Sequence, residues 1–125
     1  MTQRTARPAA GLEALPLDLK AMRESARRLL AGDAEPPTVQ ELLNLGTLLR
    51  DHIRQLAPEV ESAARRQPKD DIPRACALAC VGEARMRLRL GEGDNDALRL
   101  SVATKLARSV NALCDHAVNL GMVGE

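Results

Sequence analysis

The stretch RACALACVGEARMRLRL, residues 74–90, places Cys76 and Cys80 one helical turn apart and Glu83 almost a turn beyond. Two thiolates at i and i+4 share a helix face and make half of a tetrahedral zinc site, which needs two further ligands. The remaining candidates are Cys114, His52 and His116. If the helices before and after residue 68 pair through their loop, His52 lies about 10 Å along the axis from Cys80, too far to share an ion. Cys114 comes within about one turn of the level of Cys76, whereas His116, two positions on, points to nearly the opposite side of its helix. Three sulfurs without a fourth ligand read as small buried hydrophobes, the usual state of free cysteine. No metal and no other cofactor is expected.

Acid–base chemistry has two candidates. RDHIRQL and CDHAVNL each set an aspartate before a histidine, but adjacent residues on a helix do not face one another, so neither pair is a dyad. His52 and His116 fall about 25 Å apart along the helix axes and cannot share a proton. His52, on the edge of an apolar stripe, reads as a half-buried, hydrogen-bonded histidine. Glu83 follows Ala79 by four positions and Cys76 by seven, which predicts an inward carboxylate that must be paired, solvated or protonated. Arg54 and Lys105 are the cations expected at its level. Were the protein an enzyme, Glu83 or His52 would be its acid or base; proton transfer needs two positioned groups, and only Glu83 is expected inside.

The elements that hold these residues are helices. The 125-residue chain contains no Phe, Trp or Tyr and is rich in Leu, Ala, Arg and Glu, which favour helix over strand. Without aromatic rings it has neither the stacking platforms of single-strand nucleic-acid binders nor the usual lining of a flat-cofactor pocket. A net charge of +1 from 18 basic and 17 acidic residues gives no field toward nucleic acid or anionic lipid. No apolar run approaches the roughly 18 residues of a membrane span. Three cysteines, an odd number, and a polar, Pro/Ala-rich beginning without an apolar leader segment predict reduced thiols and a cytoplasmic location.

Residues 1–16 carry Pro8 and Pro16 and no sustained period, and are expected to form a mobile arm. Residues 17–121 are expected to form one domain with helices at about 18–31, 38–66, 72–90 and 96–120. Leu19, Met22, Ala26, Leu29 and Leu30 mark the first, with Gly32 as its stop. TVQE opens the second as a capping box from Thr38 to Glu41, and its stripe runs Leu42, Leu45, Leu49, Ile53, Leu56, Val60, with a kink or short break near Pro58. DDIP caps the third, with Asp70 or Asp71 before Pro73. The fourth starts within GDND, keeps Leu98, Val102, Leu106, Val110, Leu113, Ala117 and Leu120 on one face, and stops at Gly121.

Short connections favour an antiparallel up-down-up-down four-helix bundle. Because the first helix is short, helices 2, 3 and 4 are expected to leave an apolar trough floored by Leu56, Val60, Ile72, Cys76, Ala79, Val110, Leu113, Cys114 and Ala117, with Glu83 on its border. An exposed apolar face of that size marks binding or association; the N-terminal arm, a second copy of the chain or a ligand could cover it, and the second copy is preferred, giving a homodimer. Arg85, Arg87 and Arg89, with Arg27 and Arg28, gather at one end as complements to helix C-termini. Glu92, Asp94 and Asp96 crowd the same end and disfavour a phosphate there. No Gly-rich phosphate loop, HExxH pair or GxSxG elbow occurs.

HIRQLAPEVESAARRQPKDDIPRACALACVGEARMRLRL, followed by LARSVNALCDHAVNL, resembles a group of small, uncharacterised actinobacterial helical proteins, over about residues 40–120. Some members of that group are associated with natural product biosynthesis, and the resemblance implies no activity, cofactor or catalytic residue. Only three of the eighteen basic residues are lysine, as in a GC-rich genome. The expected function is a non-catalytic helical interaction or accessory protein, self-associating through the trough. The alternative is a binder of, or cofactor-free enzyme for, an apolar small molecule.

Overall fold

The computed structural model describes residues 17–122; the expected arm lies outside them. Four helices follow one another: α1 Leu19–Leu30, α2 Val39–Arg65, α3 Ile72–Arg87 and α4 Asp96–Asn119. Each opens on a side chain that accepts from a backbone N–H three residues on: Asp18 from Ala21, Thr38 from Glu41, Asp71 from Arg74 and Asn95 from Leu98. These caps satisfy donors that the first turn leaves without a helical partner.

Four local expectations are corrected. Glu41 does not complete a capping box; its carboxylate is held by both Nε (2.6 Å) and Nη2 (2.8 Å) of Arg28, whose Nη1 also donates to the Glu35 carbonyl at 3.0 Å. This fork closes the α1–α2 loop with the bidentate geometry that guanidinium and carboxylate share. α2 has no break at Pro58, which lies inside the continuous helix. α3 stops at Arg87 rather than near Leu90; the turn before α4 is made at Gly93, where φ is +98° and an added Cβ would come within 2.9 Å of Leu98 and Arg99. α1 ends because Ala31 turns extended, not through a left-handed Gly32. Gly121 does stop α4: at φ +73° it supports bonds from Gly121 N–H to the Val118 carbonyl and from Met122 N–H to the Ala117 carbonyl, a Schellman motif.

The helices form a bundle in which α2 and α4 make the central contact. Their apolar stripes meet through Leu49, Ile53, Leu56, Val60, Leu106, Val110 and Leu113, none with any exposure. Buried Gly46, Ala57, Ala64, Ala103, Ala107 and Ala117 sit beside these large residues, and such small side chains allow close interaxial distances. α3 lies against both central helices. α1 lies chiefly along α4 and only lightly against α2; α1 and α3 do not approach each other. Arg23 fixes the α1–α4 contact, with Nη1 3.1 Å from Asn111 Oδ1 and 2.8 Å from Asp115 Oδ1.

That arrangement fills the expected trough. Leu56, Val60, Val110, Leu113, Cys114 and Ala117 are fully buried in the single chain, because α1 docks on α4 instead of stopping beside the first half of α2. Leu56→Ala is expected to lower the unfolding free energy by about 2–5 kcal/mol, since a packed site collapses only in part around the lost atoms. Leu98→Ala, at a half-exposed position, should change it by less than about 1 kcal/mol. Urea denaturation of the two variants checks the contrast.

Candidate functional site

α3 has seven consecutive apolar residues, Ala75 to Val81, so its composition does not say which side faces in. Packing selects Ala77, Val81 and Ala84, with Leu88 partly buried beyond them. The expected inward set, Cys76, Ala79 and Glu83, is displaced from this face by one residue, about 100° of rotation, and all three are exposed. Two arginines hold the roll. Arg85 Nη2 reaches Glu61 Oε1 on α2 at 3.1 Å, and Arg87 Nη1 donates to Ser109 Oγ and to the Lys105 carbonyl on α4, both at 3.1 Å. Hydrogen bonds from Arg85 and Arg65 hold the Glu61 carboxyl below its ordinary value. Ser109 is almost fully buried, so Arg87 supplies a partner that a buried hydroxyl requires. These arginines were expected as complements to helix termini; two of them are struts between helices.

Glu83 is therefore not an inward carboxylate. It is 61% exposed and its nearest cation is Arg87 of its own helix, at 3.6 Å; Arg54 pairs with Asp51 instead. The three thiols are not brought together as a ligand set: Cys76 is exposed, Cys80 half-buried and Cys114 buried. Burial pushes the Cys80 thiol up, and the Glu83 charge adds to the effect, so it stays protonated near neutrality and is a poor nucleophile. Among the described residues no three His, Cys, Asp or Glu side chains are placed to hold a metal ion.

His52 faces α1, across α2 from α3. Its Nε2 lies 3.4 Å from Ser25 Oγ, whose own hydroxyl donates to the Ala21 carbonyl. Ser25 is thus left to accept, which assigns the proton to Nε2 and leaves Nδ1 a bare acceptor. Nδ1 is buried with no partner among the described residues. Burial lowers the His52 pKa, opposed by the charge of Asp51. Glu83 and His52 thus face different neighbours on different helices and do not form an acid–base pair.

Elsewhere, α2 and α4 enclose a slot of about 10 Å³ beside Gly46, Arg50 and Val102, room for one water at most. An open cleft of about 290 Å³ between α1 and α4 is lined by Arg23, Arg27, Leu30, Ala31 and Asn111. Neither is an enclosed apolar pocket. No described helix is long and apolar enough to cross a membrane.

The outer side of α3 carries the most exposed large apolar side chains among the described residues: Ile72 is 75% exposed and Met86 70%. Between them Ala75, Cys76, Ala79 and Gly82 are all exposed, giving a continuous helical face whose one charge, Glu83, lies at its edge. Sequence reading missed Met86 and misplaced Ile72; their separation of 14 residues, close to four turns, was the available signal.

A model of a family of unknown function, DUF6415, matches residues 20–122. The chain belongs to this family. The matched span runs from α1 to Met122, so the DUF6415 unit coincides with the bundle. Comparison with curated proteins and with solved structures returns no match.

Since burial lowers the folded pKa of His52, the unfolded chain takes up the proton first as pH falls. Stability is then complete above the ordinary histidine value of about 6.5 and declines below it until the folded chain protonates too. The thermal midpoint should fall between about pH 7.5 and pH 5.5 in the wild type. His52→Gln should flatten that slope, which a thermal series across the interval measures.

Proposed function

We propose that this DUF6415 protein is a non-catalytic helical interaction protein that self-associates, with the outer face of α3 as its contact surface. The observation that carries the reading is the exposure of Ile72 and Met86 at either end of an uncharged helical strip. Apolar faces of this kind are association surfaces in soluble chains. Cys76, Ala79 and Glu83 keep their assignment to the association site, on the outside of the bundle instead of in a trough. A second copy is the preferred partner, because the same face on both chains gives a closed two-fold assembly.

The resemblance to actinobacterial chains associated with natural product biosynthesis supports an accessory role in specialised metabolism, where a small helical protein acts by contact with other proteins. The alternative, binding or turnover of an apolar small molecule with Glu83 or His52 as acid or base, loses the open trough and the inward carboxylate that motivated it. A cytoplasmic setting, where thiols stay reduced, fits a chain with an exposed cysteine outside any disulfide at position 76.

A contact made by one 16-residue helix is at the low end of specific interfaces, which corresponds to a dissociation constant of about 1–100 μM. Sedimentation equilibrium should show a species approaching twice the 13.5 kDa chain mass as concentration rises through that range. A chain that stays monomeric up to about 1 mM overturns the self-association.

A further inference from the structure

We infer that two copies pair through the outer faces of α3 in antiparallel orientation, about a two-fold axis passing beside Ala79. This rests on the self-association proposed above and adds its geometry. Large and small residues of the exposed face pair about Ala79: Ile72 and Met86, both large, lie seven positions to either side, and Cys76 and Gly82, both small, three, while Ala75 and Glu83 stand at four. In an antiparallel pair a residue n positions before Ala79 meets the residue n positions after it on the second copy. Ile72 then packs on Met86 of the second copy, twice by symmetry, and Cys76 meets Gly82. The small central residues bring the axes to the short end of the usual 8–10 Å, about 8 Å, and the large residues close both flanks.

Charge selects the same orientation. The amino end of α3 carries Asp70 and Asp71 beside Lys69, and its carboxyl end carries Arg85, Arg87 and Arg89. Asp70 and Arg89 are exposed, and among the described residues neither side chain has a hydrogen bond or ion pair. Antiparallel pairing sets the register position of Arg87 of one copy opposite Asp71 of the other at both ends and brings the arginine-rich end over the Asp70–Asp71 end, although Arg89 itself falls opposite Lys69; it also opposes the helix dipoles favourably. Parallel pairing would stack the arginine-rich ends together and set Glu83 beside Glu83, arrangements that like charges disfavour.

A charge exchange tests the register without touching the core, because Ile72 and Met86 are mostly exposed. Ile72→Glu alone and Met86→Lys alone should each weaken the dimer at least tenfold by sedimentation, with helical circular dichroism unchanged. The double variant Ile72→Glu/Met86→Lys should recover to within a few-fold of wild type, since each introduced carboxylate then faces an introduced ammonium of the second copy. In addition, Ala79→Cys in a Cys76→Ser background should form an interchain disulfide under mild oxidation, whereas Ser62→Cys in that background should not. A wild-type dimer that neither shows this rescue nor crosslinks at Ala79→Cys overturns the antiparallel pairing while leaving self-association intact. A wild-type monomer overturns both.

Discussion

The contact between α2 and α4 governs the rest of the bundle, and it takes its form from a core that contains no aromatic ring. With Leu, Ile, Val and Ala alone to fill the interior, volume has to be taken up by bringing helices close. Gly46, Ala57 and Ala64 on α2 and Ala103, Ala107 and Ala117 on α4 permit this. Leu49, Ile53, Leu56, Leu106 and Leu113 then lose all exposure without a bulky side chain between them. Once the central pair is this close, α1 and α3 occupy separate grooves and do not meet. Interiors packed in this way have little room to spare.

The outer helices are held by guanidinium groups. Arg23 ties α1 to α4, Arg28 ties the end of α1 to the start of α2, and Arg85 and Arg87 grip α3 from its two flanks. Lysine at these positions would lack the planar fork that lets one side chain serve two acceptors, as Arg28 does with Glu41 and the Glu35 carbonyl. Exposed ion pairs contribute little individually. Their effect here is on geometry: with Arg85 on α2 and Arg87 on α4, α3 has one roll angle, although its apolar residues would allow several.

The helical elements and most of their caps were legible because they depend on local chemistry. Thr38, Asp71 and Gly121 each act within one turn of their own position, and the α2 and α4 stripes are long enough for their period to be unambiguous. The α3 phase was not legible. Seven apolar residues in a row could bury on any side, so the choice falls to Arg85, Arg87 and their partners 18 or more residues away on other helices. The docking of α1 on α4 was hidden for a related reason. A short loop makes α2 the natural neighbour of α1, and only the Arg23 bridge to Asn111 and Asp115 shows otherwise. Both errors acted on the candidate site: the first turned Cys76, Ala79 and Glu83 outward, and the second filled the trough.

The exposed apolar face on α3 goes further than its counterparts on the other helices. α2 and α4 also expose large apolar residues, Val39, Leu48, Leu98 and Leu100, but none of these is more than 48% exposed, and they are interleaved with charged outer positions, as on a solvated helix. From Ala75 to Gly82, α3 has no charged residue on any side. The inward half of that segment is accounted for by α2 and α4; the outward half is not accounted for by any of the described residues. Helix propensity does not require it, since Glu, Lys or Arg would serve at Ala75, Ala79 or Gly82 at least as well, and glycine at an exposed helix position costs about 1 kcal/mol relative to alanine. Gly82 has open space around its missing side chain, so no contact inside the chain demands it. A close helix on the outer side does demand it: in the antiparallel arrangement Gly82 is where Cys76 of the second copy enters.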